Sequence, residues 1–270
     1  MKTTPILLLL FLCPALLWAQ HDTAFKKAFF KSWEKELISL GDGSYAQQYE
    51  VSNFHYRLFL EDIARREGPE KRQEYYPDTT AWTREFPEAM NEPMEQYYFY
   101  HPAYDDYPVV NISYEGAMAF AEWLNLNFEA YGKSKLPAGK WVLPSAAQWE
   151  KAAAGSEAAL QEAAKQTEET ASMNLKYAVP GEELSDFARD GGLYMREVDY
   201  FEPTGEGFYS LFGNVAEMTD QKGIAKGGSW NHRPEECTAI LSQAYDGPSP
   251  MVGFRLFYVV EGMTAHRDQK

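Results

Sequence analysis

Gly207-Phe208-Tyr209, Gly213-Asn214-Val215-Ala216-Glu217 and Lys226-Gly227-Gly228-Ser229-Trp230 fall within 24 consecutive residues. Glycine and aromatic residues recur in this stretch without a sustained helical or strand period, which predicts irregular loops joined by short strands. Gly227-Gly228 allows backbone conformations closed to other residues. Trp230 reads as a core anchor for a region with little regular structure. The same character holds from residue 172 to Gly253-Phe254-Arg255-Leu256-Phe257-Tyr258-Val259-Val260, an apolar run read as a strand. Arg255 within it is a cation suited to buried carbonyls or a carboxylate.

Towards the amino terminus the chain becomes more regular. Pro108-Val109-Val110-Asn111-Ile112 reads as a short buried strand, and Ser113 opens a helix with Ala117, Phe120, Ala121, Trp123 and Leu124 on its inner face. Trp141-Val142-Leu143 is extended. Pro144 and Ser145 start a helix with Trp149, Ala152 and Ala153 inward, fading into an Ala- and Glu-rich segment at 156–171. Residues 22–40 place Phe25, Ala28, Phe29, Trp33, Leu37 and Leu40 at helical steps. After Gly41-Asp42-Gly43, an extended piece ending Tyr49-Glu50-Val51 leads to Ser52, a cap for a helix carrying Tyr56, Phe59, Leu60 and Ile63. Residues 66–106 lack a sustained period and read as a long surface excursion with aromatic anchors. No internal repeat is visible.

Composition bounds the function. At 270 residues the chain is one large domain or two small ones, and 45% hydrophobic with 15% aromatic content argues against disorder. Its net charge of -15 opposes binding to nucleic acid or an anionic lipid surface. Lys2 followed by the apolar run Ile6–Trp18 matches a signal peptide, with cleavage expected after Ala19, and is too short to span a bilayer. The expected organisation is a signal peptide at 1–19, a helical extension at 22–45, a main domain at 46–262 and a polar tail at 263–270. Export is expected, which for a bacterial chain means the periplasm or cell surface, with no transmembrane helix in the mature chain. Cys13 leaves with the signal, so Cys237 is the sole remaining thiol and no intrachain disulfide can form.

Six blocks in order resemble the formylglycine-generating enzyme, or sulfatase-modifying factor, family. They are Tyr49-Glu50-Val51-Ser52-Asn53; Pro108-Val109-Val110 with Ser113 and Trp123; Leu143-Pro144-Ser145 with Trp149-Glu150; Gly207-Phe208-Tyr209 with Gly213-Asn214-Val215 and Glu217; Lys226-Gly227-Gly228-Ser229-Trp230; and Gly253-Phe254-Arg255. The resemblance implies an α+β fold, a loop-rich variant of the C-type lectin fold with short strands and a few helices. Calcium positions carried over from it are Asn174, Leu175, Asp190 and Gly192 at one site, and Ser210, Gly213, Val215 and Glu217 at a second. Oxygen donors of these kinds are what calcium takes. At the second site Ser210 offers a hydroxyl where the family has an amide or carboxylate.

The family's aerobic enzymes hold Cu(I) on two cysteines beyond the Gly-Gly-Ser. Those positions are His232 and Cys237 here, with Ser229 beside them, so one soft sulfur ligand is replaced by imidazole. Val142 replaces the usual Arg before Leu-Pro, and Ala216 and Met218 replace tryptophans flanking Glu217. The family's opening strand is not evident ahead of Tyr49. The favoured reading is therefore an exported protein without formylglycine-generating activity, a binding or assembly scaffold like relatives in gliding-motility and type IX secretion machinery, with a protein or peptide partner. A copper-dependent oxidoreductase acting on a protein or peptide cysteine is the first alternative. A lectin-like carbohydrate- or peptide-binding module is the second, with Tyr97, Tyr98, Tyr100, Tyr104 and Tyr107 as its aromatic platforms for a glycan.

Overall fold

The computed structural model describes residues 28–131, 134–165, 172–178, 185–186 and 194–262. The expected signal peptide, the start of the first expected helix, Asp190, Gly192 and the polar tail lie outside them.

Helix α1 occupies residues 28–35, followed by strands β1 (Leu37–Ser39) and β2 (Ser44–Gln47). The expected helix over 22–40 thus ends sooner, because the chain turns at Glu36 and pairs Leu37 with Gln47 and Ile38 with Ala46. β2 lies within the extended piece expected after Gly41-Asp42-Gly43, whereas β1 is an opening sheet strand that the sequence did not reveal. Strand β2 pairs antiparallel with the last strand, β10 (Phe257–Val260), which pairs on its other side with β3 (Gly139–Val142). The resulting four-stranded sheet, β1-β2-β10-β3, is apolar on both faces. Tyr45, Trp141 and Tyr258 join one core cluster while Ala46, Val142 and Phe257 join another, the period-two alternation of a strand buried on two sides.

The first cluster is closed by α2 (Asn53–Glu67) and α6 (Tyr114–Tyr131). Ser52 caps α2 by accepting from the His55 N–H, and Ser113 Oγ accepts from Gly116 N at 3.0 Å to start α6. Helix α7 (Ala146–Ala153) begins with a capping box, in which Ser145 and Gln148 each bond the other's backbone N–H. With α8 (Glu157–Ala163) it packs Trp149, Ala152, Ala153 and Leu160 into the second cluster.

Residues 66–106 depart from the expected surface excursion. Three short helices, α3 (Pro69–Glu74), α4 (Ala81–Glu85) and α5 (Glu92–Tyr97), bring Trp82 and Tyr98 into a third cluster with Val110, Met195, Val215 and Trp230, while Phe99 joins the first. The aromatics are spaced too irregularly to show a period, yet Trp82, Tyr98 and Phe99 each fill a gap against a distant segment. Residues 109–112 are buried as expected but form no regular strand; Ser52 and Pro108 make one antiparallel bridge.

Beyond the short hairpin β4 (Tyr177–Ala178) and β5 (Ser185–Asp186), a second four-stranded sheet carries β6 (Ala216–Met218), β7 (Ile224–Lys226), β8 (Gln243–Ala244) and β9 (Val252–Gly253) in the order β8-β7-β6-β9. The apolar run at 252–260, expected as one strand, is two. It pairs β9 parallel to β6, crosses over at residues 254–256, and enters the first sheet as β10. Arg255 sits at that crossing. Among the described residues no helix is long and apolar enough to cross a membrane.

Candidate functional site

Both Arg255 and Glu217 are fully buried, on β9–β10 and β6 respectively, and they meet where the two sheets join. The guanidinium Nε donates to both carboxylate oxygens at 2.9 and 3.1 Å, and Nη2 donates to Oε1 at 2.7 Å. Trp149 Nε1 donates to Oε2 at 2.7 Å. The remaining guanidinium donors reach the carbonyls of Gln47, Gln48 and Tyr209. One cation therefore ties the end of β2, the 207–213 loop and β6 together. Desolvating such a pair is tolerable only because every donor and acceptor is used. A carboxylate offers about four lone-pair positions, and these four donor contacts occupy Glu217 fully.

Next to it lies a network of amides. Asn214 takes a left-handed conformation (φ 54°) and donates through Nδ2 to Glu50 Oε1 at 3.0 Å. Its Oδ1 accepts from Arg196 N at 2.9 Å and from Asn174 Nδ2 at 3.2 Å. Asn174 also donates to the Tyr194 carbonyl, and its own carbonyl accepts from Asn214 N at 2.9 Å. Glu50 Oε2 is buried without a hydrogen-bond partner. Burial, reinforced by the like charge of Glu217 and opposed by Arg255 and Asn214, pushes the Glu50 carboxyl up to about 8. In the sequence Glu50 stands only as one residue of the Tyr49-Glu50-Val51-Ser52-Asn53 block. Its role was hidden because nothing local marks a glutamate beside Val51 as buried.

The predicted first calcium group divides between described and undescribed residues. Asn174 and Leu175 are buried, and the Asn174 amide nitrogen serves the network above. In the second group Gly213 packs so closely on the Asn174 carbonyl that a Cβ would collide with it. Ser210 is left-handed (φ 47°) and Val215 is buried in the third cluster. Glu217, the one formal charge of that group, is committed to Arg255 and Trp149, so its donor set does not fit a calcium ion in this arrangement. Among the described residues no group of three or more His, Cys, Asp and Glu side chains is placed to hold a metal.

The predicted copper positions follow the Gly-Gly turn. Gly228 is left-handed (φ 71°) and lies directly over Cys237, whose Sγ would collide with any Cβ there. Cys237 ends a short 3-10 turn, Pro234–Glu236, and is 0% exposed in the second apolar cluster. Its thiol donates to the Arg233 carbonyl at 3.2 Å. Burial, with Glu236 and Glu235 nearby, holds the thiol far above its ordinary range and so keeps it protonated. His232 Nδ1 accepts from Ser229 N at 3.1 Å and lies 2.7 Å from Ser229 Oγ. Burial lowers the imidazole's affinity for a proton. A neutral ring accepting at Nδ1 carries its proton on Nε2. Cu(I) needs accessible thiolate sulfur, which this sealed thiol does not offer.

The tyrosine platform also has a structural use. Asn53 Nδ2 donates to the carbonyls of Tyr98 and Tyr104, and Tyr98 Oη donates to Pro108 O. Tyr107 packs edge to face with both Tyr98 and Tyr104, which meet each other at a tilt, while Tyr97 and Tyr100 are exposed.

The chain matches the family described as the sulfatase-modifying factor enzyme 1-like domain over residues 35–259. Among solved structures it is similar to CarF, at 18% identity over 81% of this chain and 87% of that one, with a TM-score of 0.49. Treponema denticola variable protein 1 aligns at 17% identity over 79% of this chain and 84% of that one, TM-score 0.44. PvdO from Pseudomonas aeruginosa aligns at 19% identity over 58% and 63%, TM-score 0.39. No curated protein matches the sequence.

Proposed function

The chain belongs to the sulfatase-modifying factor family, and within that family we propose that it is a binding or assembly scaffold without formylglycine-generating activity. The observation that carries this reading is the state of Cys237, enclosed by apolar side chains beneath Gly228 and held as a thiol. Catalysis on a substrate cysteine would require that sulfur to be exposed and ionised. Imidazole at residue 232, committed to Ser229, supplies no second sulfur. The partner on this reading is a protein or peptide, met in the periplasm or at the cell surface after removal of residues 1–19, as in gliding-motility and type IX secretion relatives. Calcium bound through Asn174, Leu175, Asp190 and Gly192 is proposed as a structural ion of the 172–194 region.

The test is direct. Incubated with Cu(I), oxygen and a peptide carrying the sulfatase cysteine motif, the purified protein is expected to leave the peptide mass unchanged and to retain less than one equivalent of copper on desalting. Aldehyde formation that disappears with Cys237→Ala would overturn the reading.

A further inference from the structure

Away from the Gly-Gly turn, a cavity of about 750 Å³ opens between α6, the edge strand β3 and the loop at Asp220. We propose that this cleft binds a basic, extended peptide segment of a partner protein, seating an Arg or Lys side chain between Glu122 and Asp220. The volume lies within the range of ligand sites and exceeds what one side chain fills. Its walls are Tyr75, Tyr114, Met118 and Val142, which suit the aliphatic stem of a long basic residue and offer ring faces to its charge.

Charge complementarity selects the occupant. Of the three carboxylates on the lining, Glu115 is neutralised by Lys222 Nζ at 2.6 Å. Among the described residues neither Glu122 nor Asp220 forms a salt bridge comparable to the Glu115–Lys222 pair, and desolvation beside the apolar wall raises the Asp220 carboxyl. Two uncompensated acids on an apolar surface favour a cation of mixed character over an anion or a neutral sugar. The cleft is also held open. Tyr114 Oη donates to the Asp220 carbonyl at 2.7 Å, and the Lys222–Glu115 pair fastens the same loop to the start of α6. Strand addition is not the mode of binding, since the Asn125 side chain already occupies the free edge of β3. It accepts from Trp141 N at 2.7 Å and donates to Trp141 O at 2.9 Å. Recognition is left to side chains, and it stands whether or not the Gly-Gly turn is catalytic.

Fluorescence anisotropy with a labelled Ala-Arg-Phe-Arg-Ala peptide tests this, with Ala-Glu-Phe-Glu-Ala and free arginine amide as comparisons. Saturable, salt-sensitive binding of the basic peptide is expected, weakened about tenfold by Glu122→Gln combined with Asp220→Asn. Met118→Arg, at a position 44% exposed, should block the cleft with an unchanged melting temperature. No binding of the basic peptide, equal binding of the acidic one, binding unaffected by either variant, or arginine amide binding as tightly as the peptide would each overturn the proposal.

Discussion

Glu217→Gln is the perturbation that separates a structural from a metal-binding use of the buried carboxylate. The substitution keeps the shape and one acceptor oxygen but leaves the Arg255 guanidinium as an uncompensated charge at 0% exposure. Removing one partner of a buried, fully bonded pair costs about 3–5 kcal/mol. For a folded unit of this size each kcal/mol lowers the melting temperature by roughly 2–4 °C, so a fall of about 10 °C is expected. Thermal unfolding followed by circular dichroism would be run in calcium and in excess chelator. Because the carboxylate acts on Arg255 and Trp149, the difference between wild type and variant should be the same in both conditions. Arg255→Met should cost more, since it also strips the partners from the carbonyls of Gln47, Gln48 and Tyr209. A fall of less than about 3 °C, or one that chelation abolishes, would refute the reasoning.

The Glu50 carboxyl is raised from 4.5 to about 8 in the folded protein, so folding takes up a proton between those values and stability contributed there declines as pH rises. Urea titrations of wild type minus Glu50→Gln should show that decline, up to about 1.4 kcal/mol per pH unit between pH 5 and 8, and a flat difference would exclude it. Cys237 should resist a thiol reagent at pH 8 until the protein unfolds; labelling on the time scale of a free thiol would contradict its enclosure. Gly228→Ala combines a left-handed backbone with a collision on Sγ, and should destabilise by about 2–4 kcal/mol in chemical denaturation. Pairing it with Cys237→Ala should recover part of that loss, and full additivity would refute the contact.

The amino-acid sequence by itself determined the family, the caps at Ser52, Ser113 and Ser145, and the inward faces of α6 and α7. These are local features: a hydroxyl three residues before an N–H, or apolar residues at helical spacing. It also placed imidazole where a second sulfur would stand. Only the tertiary structure decided what those side chains do. Leu37 continues a helical pattern on paper, yet it and Ile38 alternate across a sheet because β2, itself held by β10, supplies the pairing. Trp82 and Tyr98 looked like anchors of a surface excursion and instead fill a core with Trp230, a partner far along the chain. Glu217 carries the same formula whether it faces a cation in solvent or a guanidinium in the interior. Arg255, delivered by a strand that changes sheets, settles which. Long-range burial sets the charge state of Glu50 and Cys237, and burial is a property of the packed chain that no short window of sequence contains.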